Sequence, residues 1–144
     1  MNKLLRLSAA EYLLLLAAAV SVGVARLALW VVPFRVVARV GERRACRASK
    51  PFAPEKFSPQ RVAWAVMVAS RPLGKEGLCL VRALAARWML AALGNSSELR
   101  IGVAKSADGK FLAHAWLESN GKILIGEVDG QSFTALPPFT VEHP

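Results

Sequence analysis

The chain has 144 residues, 54% of them apolar and 20% charged, which suits a single buried core and excludes global disorder. Two cysteines, Cys46 and Cys79, are too few for a disulfide scaffold or a four-cysteine zinc site, and no fixed short period recurs. The net charge of +9 attracts anions, but the basic residues lack a recognised motif and have only Phe52 and Phe57 interleaved with them, so nucleic acid is not an expected partner.

The first predicted element is an apolar helix. Met1–Arg6 is basic and Tyr12–Ala25 is uncharged. Ser8 and Glu11 form a Ser-x-x-Glu capping box that starts a helix near Ala9, and Pro33 bounds it near Val32. Such a helix is apolar nearly all round and must be covered by the domain, a partner or lipid. Crossing a bilayer takes about 20 apolar residues. A span here would hold Arg26 inside, at roughly 3 kcal/mol. Ala19, Ser21 and Gly23 are small enough for a signal cleavage site, yet the apolar run resumes at Leu27–Phe34 beyond it. A buried or interfacial helix is the expectation, in a cytoplasmic protein, with contact to a membrane surface and contact to protein both open for this segment.

A basic connector follows. Arg35–Arg61 holds eight basic residues against Glu42 and Glu55, and Pro51, Pro54 and Pro59 punctuate it. Residues 1–57 therefore read as an apolar helix plus connector, and 58–144 as the functional domain. Ser58-Pro59 is a helix start, with serine as cap and proline in the first turn. That helix runs to about Ser70 with Val62, Ala65, Val66 and Ala69 on one face, and Arg71-Pro72-Leu73-Gly74 stops it. Leu78–Leu93 is a second strong helix, with Leu80, Leu84, Trp88 and Ala91 spaced by three and four, and Gly94 at its end.

The period then changes to two. Leu99, Ile101 and Val103 alternate with Arg100, Gly102 and Ala104 in a predicted strand; Asp108-Gly109 is a turn; Lys110–Glu118 is a second strand; Asn120-Gly121 is a hairpin turn; and Lys122–Val128 is a third strand. Helices first and an antiparallel β meander after them make an α+β architecture.

Cys79 falls in the first turn of the Leu78–Leu93 helix, where unpaired amides and the positive end of the helix dipole favour a thiolate and can hold an oxyanion. A buried cysteine packing as a small apolar residue is the bland alternative. His114 lies mid-strand in Ala113-His114-Ala115-Trp116. A cysteine opening a helix and a histidine on a later strand suit nucleophilic acyl chemistry, with the imidazole taking the thiol proton and returning it to the leaving amine. A third group should orient the ring. If Asn120-Gly121 is a two-residue turn, Ser119 faces Lys122. Counting outward sets Glu127 across from His114, Asp129 one diagonal step away, and Gly126 on the opposite face. Glu127 is thus the first candidate orienter and Asp129 the second, subject to a one-residue slip. Cys46 reads as a bland thiol and His143 as terminal. Trp64 and Trp88 read as core, and Arg82 and Arg87 as either solvated or substrate-holding. No metal-ligand cluster, phosphate loop or dinucleotide fingerprint is present, so neither metal nor cofactor is expected.

CLVRALAARWML (Cys79–Leu90), LRIGVAK (Leu99–Lys105) and AHAWLESNGKILIGE (Ala113–Glu127), with VAWAVMVASRPL (Val62–Leu73) and the leucine-rich first helix, resemble the lasso peptide biosynthesis B2 proteins. These are stand-alone leader peptidases. The resemblance implies a transglutaminase-like, papain-related fold with a Cys-His-acid site, Cys79 being the nucleophile and His114 the base. The family's acid is usually an aspartate about a dozen residues after the histidine. Here that position is Gly126, with Glu127 beside it and Asp129 beyond. The resemblance further implies a precursor peptide as substrate, a leader-recognition B1 protein that presents it, and an ATP-dependent lasso cyclase. The rival expectations are a thioester-forming acyltransferase and a non-enzymatic, membrane-associated scaffold of the maturation complex.

Overall fold

The computed structural model describes residues 8–33, 36, 58–74, 78–126 and 134–135. Its first helix, α1 (Ala9–Val31), begins at the capping box: the Ser8 side chain accepts from Glu11 N–H, and the Glu11 carboxylate accepts from Ser8 N–H at 2.9 Å. The helix stops at Val32, which is extended ahead of Pro33. Helix α2 (Pro59–Ala69) is capped by Ser58, whose hydroxyl accepts from Arg61 N–H at 3.2 Å. A single 3₁₀ turn, Arg71–Leu73, follows and ends at Gly74 with φ +92°. Helix α3 (Cys79–Ala92) ends in a Schellman motif: Gly94 N–H donates to Ala91 and Asn95 N–H to Leu90, with Gly94 at φ +80°.

The three helices share one apolar core. From α1 come Leu14, Ala18, Val22 and Ala25, which pack with Val62 and Val66 of α2 and with Leu84 and Leu90 of α3. Small residues at Ala18 and Ala25 let α1 lie close to its neighbours. The α1 helix, which the sequence sets apart from residues 58–144, thus supplies one wall of the same core. At its start, Glu11 also pairs with Arg61 of α2, so the residue that caps one helix ties it to the next.

The sheet has the order β3-β2-β1-β4, with β1 (Glu98–Lys105), β2 (Phe111–Ser119), β3 (Lys122–Ile125) and β4 (Thr134–Ala135). All pairings are antiparallel. The Asn120-Gly121 turn takes positive φ at both residues, 52° and 76°, as the tight hairpin requires. Two sequence expectations change here. The third strand ends at Ile125 rather than Val128, because Gly126 turns away with φ +91°. A fourth, two-residue strand adds to the free edge of β1; Thr134–Ala135 is too short to show an alternating pattern. The α3 helix packs on β2 and β1, with Leu117 fully buried in the helical core.

Candidate active site

Cys79 is the first residue of α3, as the sequence predicts, and is partly exposed. The preceding residue, Leu78, has no side chain able to cap the helix, so the N-cap position leaves the first-turn amides without a side-chain acceptor of its own. Those N–H groups and the dipole they sum to are therefore directed at the region around the thiol. The segment leading into it is held by Arg82. Its Nε donates to the Ser70 hydroxyl at 2.7 Å and its Nη2 to the Gly74 carbonyl at 3.3 Å. Ser70 is fully buried and donates in turn to the Met67 carbonyl at 3.1 Å. Arg82 is thus a clamp between α3 and the end of α2, a role the sequence left undecided.

His114 stands in the middle of β2. Side chains alternate along this strand. His114, Trp116 and Glu118 share one face: the His114 and Trp116 rings lie 6.4 Å apart at 21°, and Trp116 Nε1–H donates to Glu118 Oε1 at 2.8 Å. Ala115, Leu117 and Ser119 take the other face, which Leu117 joins to the helical core. The Nε2 of His114 lies 2.5 Å from the carbonyl oxygen of Gly126. A carbonyl can only accept, so Nε2 carries the proton, and in the neutral ring the basic lone pair is on Nδ1.

Gly126 is built for this contact. Its φ of +91° is a conformation that L side chains rarely adopt, and a Cβ there would stand 2.7 Å from the Ala115 carbonyl oxygen and 2.9 Å from Trp116 Cβ. The residue comes within reach of His114 because β3 is irregular. Ser119 faces Lys122 and Glu118 faces Ile123, but Leu117 faces Ile125, so Leu124 is an extra residue. This one-residue shift departs from the uninterrupted hairpin register on which the count to Glu127 rested, and it brings the Gly126 carbonyl, which the count set on the far face, to His114. Glu127 and Asp129 lie outside the described residues, as do Cys46 and His143. A glycine interrupting a strand pattern is the sequence signal that marks such a bulge or close backbone approach.

Cys79 and His114 sit on elements that pack together, α3 and β2, but the His114 ring is on the face of β2 opposite Leu117, the residue that joins the helical core, so that packing does not itself bring the two side chains together. Next to the α3 N-terminus a groove of about 680 Å³ runs between Arg26, Leu27 and Trp30 of α1, Leu73 of the 3₁₀ turn, and Leu78 and Leu80 on either side of Cys79. Among the described residues no group of three or more His, Cys, Asp or Glu is arranged to hold a metal ion.

An α+β domain in which a cysteine opens a helix packed on a histidine-bearing antiparallel strand has the layout of the cysteine-dependent acyl-transfer folds. Residues 17–137 match the model of the transglutaminase-like superfamily, and the chain belongs to that family. No curated protein and no solved structure matches it. The superfamily includes both cysteine peptidases and acyltransferases.

Proposed function

We propose that this protein is a cysteine peptidase that removes the leader from a lasso peptide precursor. The observation that carries the reading is Cys79 at the uncapped first turn of α3, on a helix packed against the strand that bears His114. The resemblance of Cys79–Leu90 and Ala113–Glu127 to the lasso B2 proteins supports the substrate assignment.

In this mechanism Nδ1 of His114 accepts the Cys79 thiol proton, and the thiolate attacks the carbonyl carbon at the leader–core junction. The amides of the first turn of α3 stabilise the oxyanion. As the C–N bond breaks, His114 returns the proton to the departing core amine, leaving the leader as a thioester on Cys79. Water, deprotonated by His114, hydrolyses that thioester and restores the thiol. The Gly126 carbonyl holds the Nε2–H tautomer throughout, and Glu127 or Asp129 adds the acid that the family pattern calls for. This mechanism requires the sulfur and the ring to come within hydrogen-bond reach in the substrate complex. The groove beside Leu78 and Leu80 takes an apolar side chain of the peptide near the cut. A leader-recognition partner presents the precursor, and the freed core passes to an ATP-dependent cyclase.

The test is incubation of the purified protein with a lasso precursor, with and without the leader-recognition partner, read by mass spectrometry. Leader and core as separate hydrolysed products support the peptidase. Leader joined to an added amine indicates an acyltransferase instead. Normal product formation by Cys79→Ala would leave only a scaffold role.

A further inference from the structure

The α1 helix has two apolar faces, and only one is used by the core. Leu14, Ala18, Val22 and Ala25 are buried against α2 and α3, whereas Leu13, Leu16, Val20, Val24, Leu27 and Val31 are between half and two-thirds exposed. Their spacings of three and four place them in one stripe along the whole outer side of the helix. Tyr12 and Trp30, 49% and 85% exposed, flank the stripe near its two ends. An apolar strip of this length is unusual on the surface of a soluble monomer and marks an interaction site.

We propose that this outer face of α1 lies in the interface of an anionic membrane, with the helix parallel to the bilayer plane. Three observations select that occupant. A spanning orientation conflicts with the fold, because the inner face of α1 is sealed against helices that carry Arg61, Arg82 and Arg87. Tyr12 and Trp30 are the residue types that settle at headgroup depth, and each is near an end of the strip. The charge also favours anionic lipid. Lys3 and Arg6 precede the helix, Arg35, Arg39, Arg43, Arg44 and Arg47 follow it, and the chain carries +9 overall. A second copy seated on the same face would bring two such strongly basic chains together, whereas acidic headgroups neutralise them. Arg26, exposed on the flank of the helix, can extend its guanidinium to the headgroups while its stem stays in the apolar layer. Arg26, Leu27 and Trp30 also border the groove beside Leu78, so the lipid-facing strip adjoins that groove at its C-terminal end, while Leu13, Leu16, Val20 and Val24 lie clear of it; the inference does not depend on the peptidase reading.

The full-length protein is floated on density gradients with vesicles of phosphatidylcholine alone or mixed with phosphatidylglycerol. Flotation only with the phosphatidylglycerol vesicles, reversed by high salt, is the expected result. The triple variant Leu13→Gln/Leu16→Gln/Val20→Gln, which touches neither the core nor the groove, should stay at the bottom of the gradient while unfolding at the same temperature as the parent. Three results would overturn the proposal: equal flotation on neutral vesicles, flotation of the triple variant at the parent level, or a salt-resistant dimer in sedimentation that binds neither vesicle.

Discussion

The imidazole of His114 donates its Nε2 proton to the carbonyl oxygen of Gly126, twelve residues further along the chain. Gly126→Ala should break this contact, because its Cβ meets the Ala115 carbonyl and Trp116 at contact distances no side chain tolerates. The expected cost is about 2 kcal/mol of stability, from backbone strain and displacement. Misorienting the base should also lower kcat/KM by about 10- to 100-fold. ¹⁵N NMR of the histidine ring separates the two effects: the parent shows a protonated Nε2, and the variant a mixture of tautomers.

Glu127→Gln and Asp129→Asn test the acid. Both should retain the Nε2–H tautomer in the same NMR measurement, because the Gly126 carbonyl accepts that proton. Whichever variant lowers kcat and narrows the pH range of activity identifies the acid that stabilises the imidazolium.

Whether the Cys79 sulfur and the His114 ring meet, as the proposed mechanism requires, can be measured chemically. 1,3-Dibromoacetone alkylates a thiolate first and then a nucleophile within a few ångströms, releasing two bromides. The parent should yield a single peptide pair bridged from Cys79 Sγ to a ring nitrogen of His114 on mass spectrometric mapping. Cys79→Ala should give neither bridge nor cleavage, with an unchanged thermal transition. Alkylation of Cys79 with no bridge to His114, in the presence of bound precursor, would remove the mechanism.

Arg82 is a stability prediction. Arg82→Ala removes its charge-assisted bond to the buried Ser70 hydroxyl and its bond to the Gly74 carbonyl, and should cost about 1–2 kcal/mol. Denaturant melts read this directly. Ser70→Ala leaves the Arg82 Nε without that acceptor and should cost a similar amount, and the double variant should cost less than the two single losses combined.

Glu11 works twice, in the capping box and against Arg61. Ser8→Ala should lower stability by about 1 kcal/mol through the cap alone. Glu11→Gln should cost less than Glu11→Ala, because the amide can still accept from the Ser8 amide while giving up the ion pair. Thermal unfolding of the three variants at low and high salt checks this, since only the ion-pair share is screened.

Much of the fold was legible in local patterns. Ser8 and Glu11, Ser58-Pro59, Gly94 and Asn120-Gly121 each satisfy backbone groups within a few residues of themselves, so the element boundaries they mark are written in the chain. Cys79 at the head of a helix and His114 on a strand were readable for the same reason. The extra residue at Leu124 was not, because a bulge is set by how two strands settle against each other and against Leu117, and the twofold alternation looks the same on either side of it. That single insertion brings Gly126 to His114. The partnership of Arg82 with Ser70, the position of α1 as a wall of the common core, and the apolar strip left on its outer side likewise come from packing between distant segments, which composition and periodicity do not encode. What the sequence determined by itself was therefore the local elements and the reactive groups they carry. Only the tertiary structure decided which carbonyl orients the imidazole and which face of the first helix is left for a partner, because both depend on where side chains far apart in the chain come to rest.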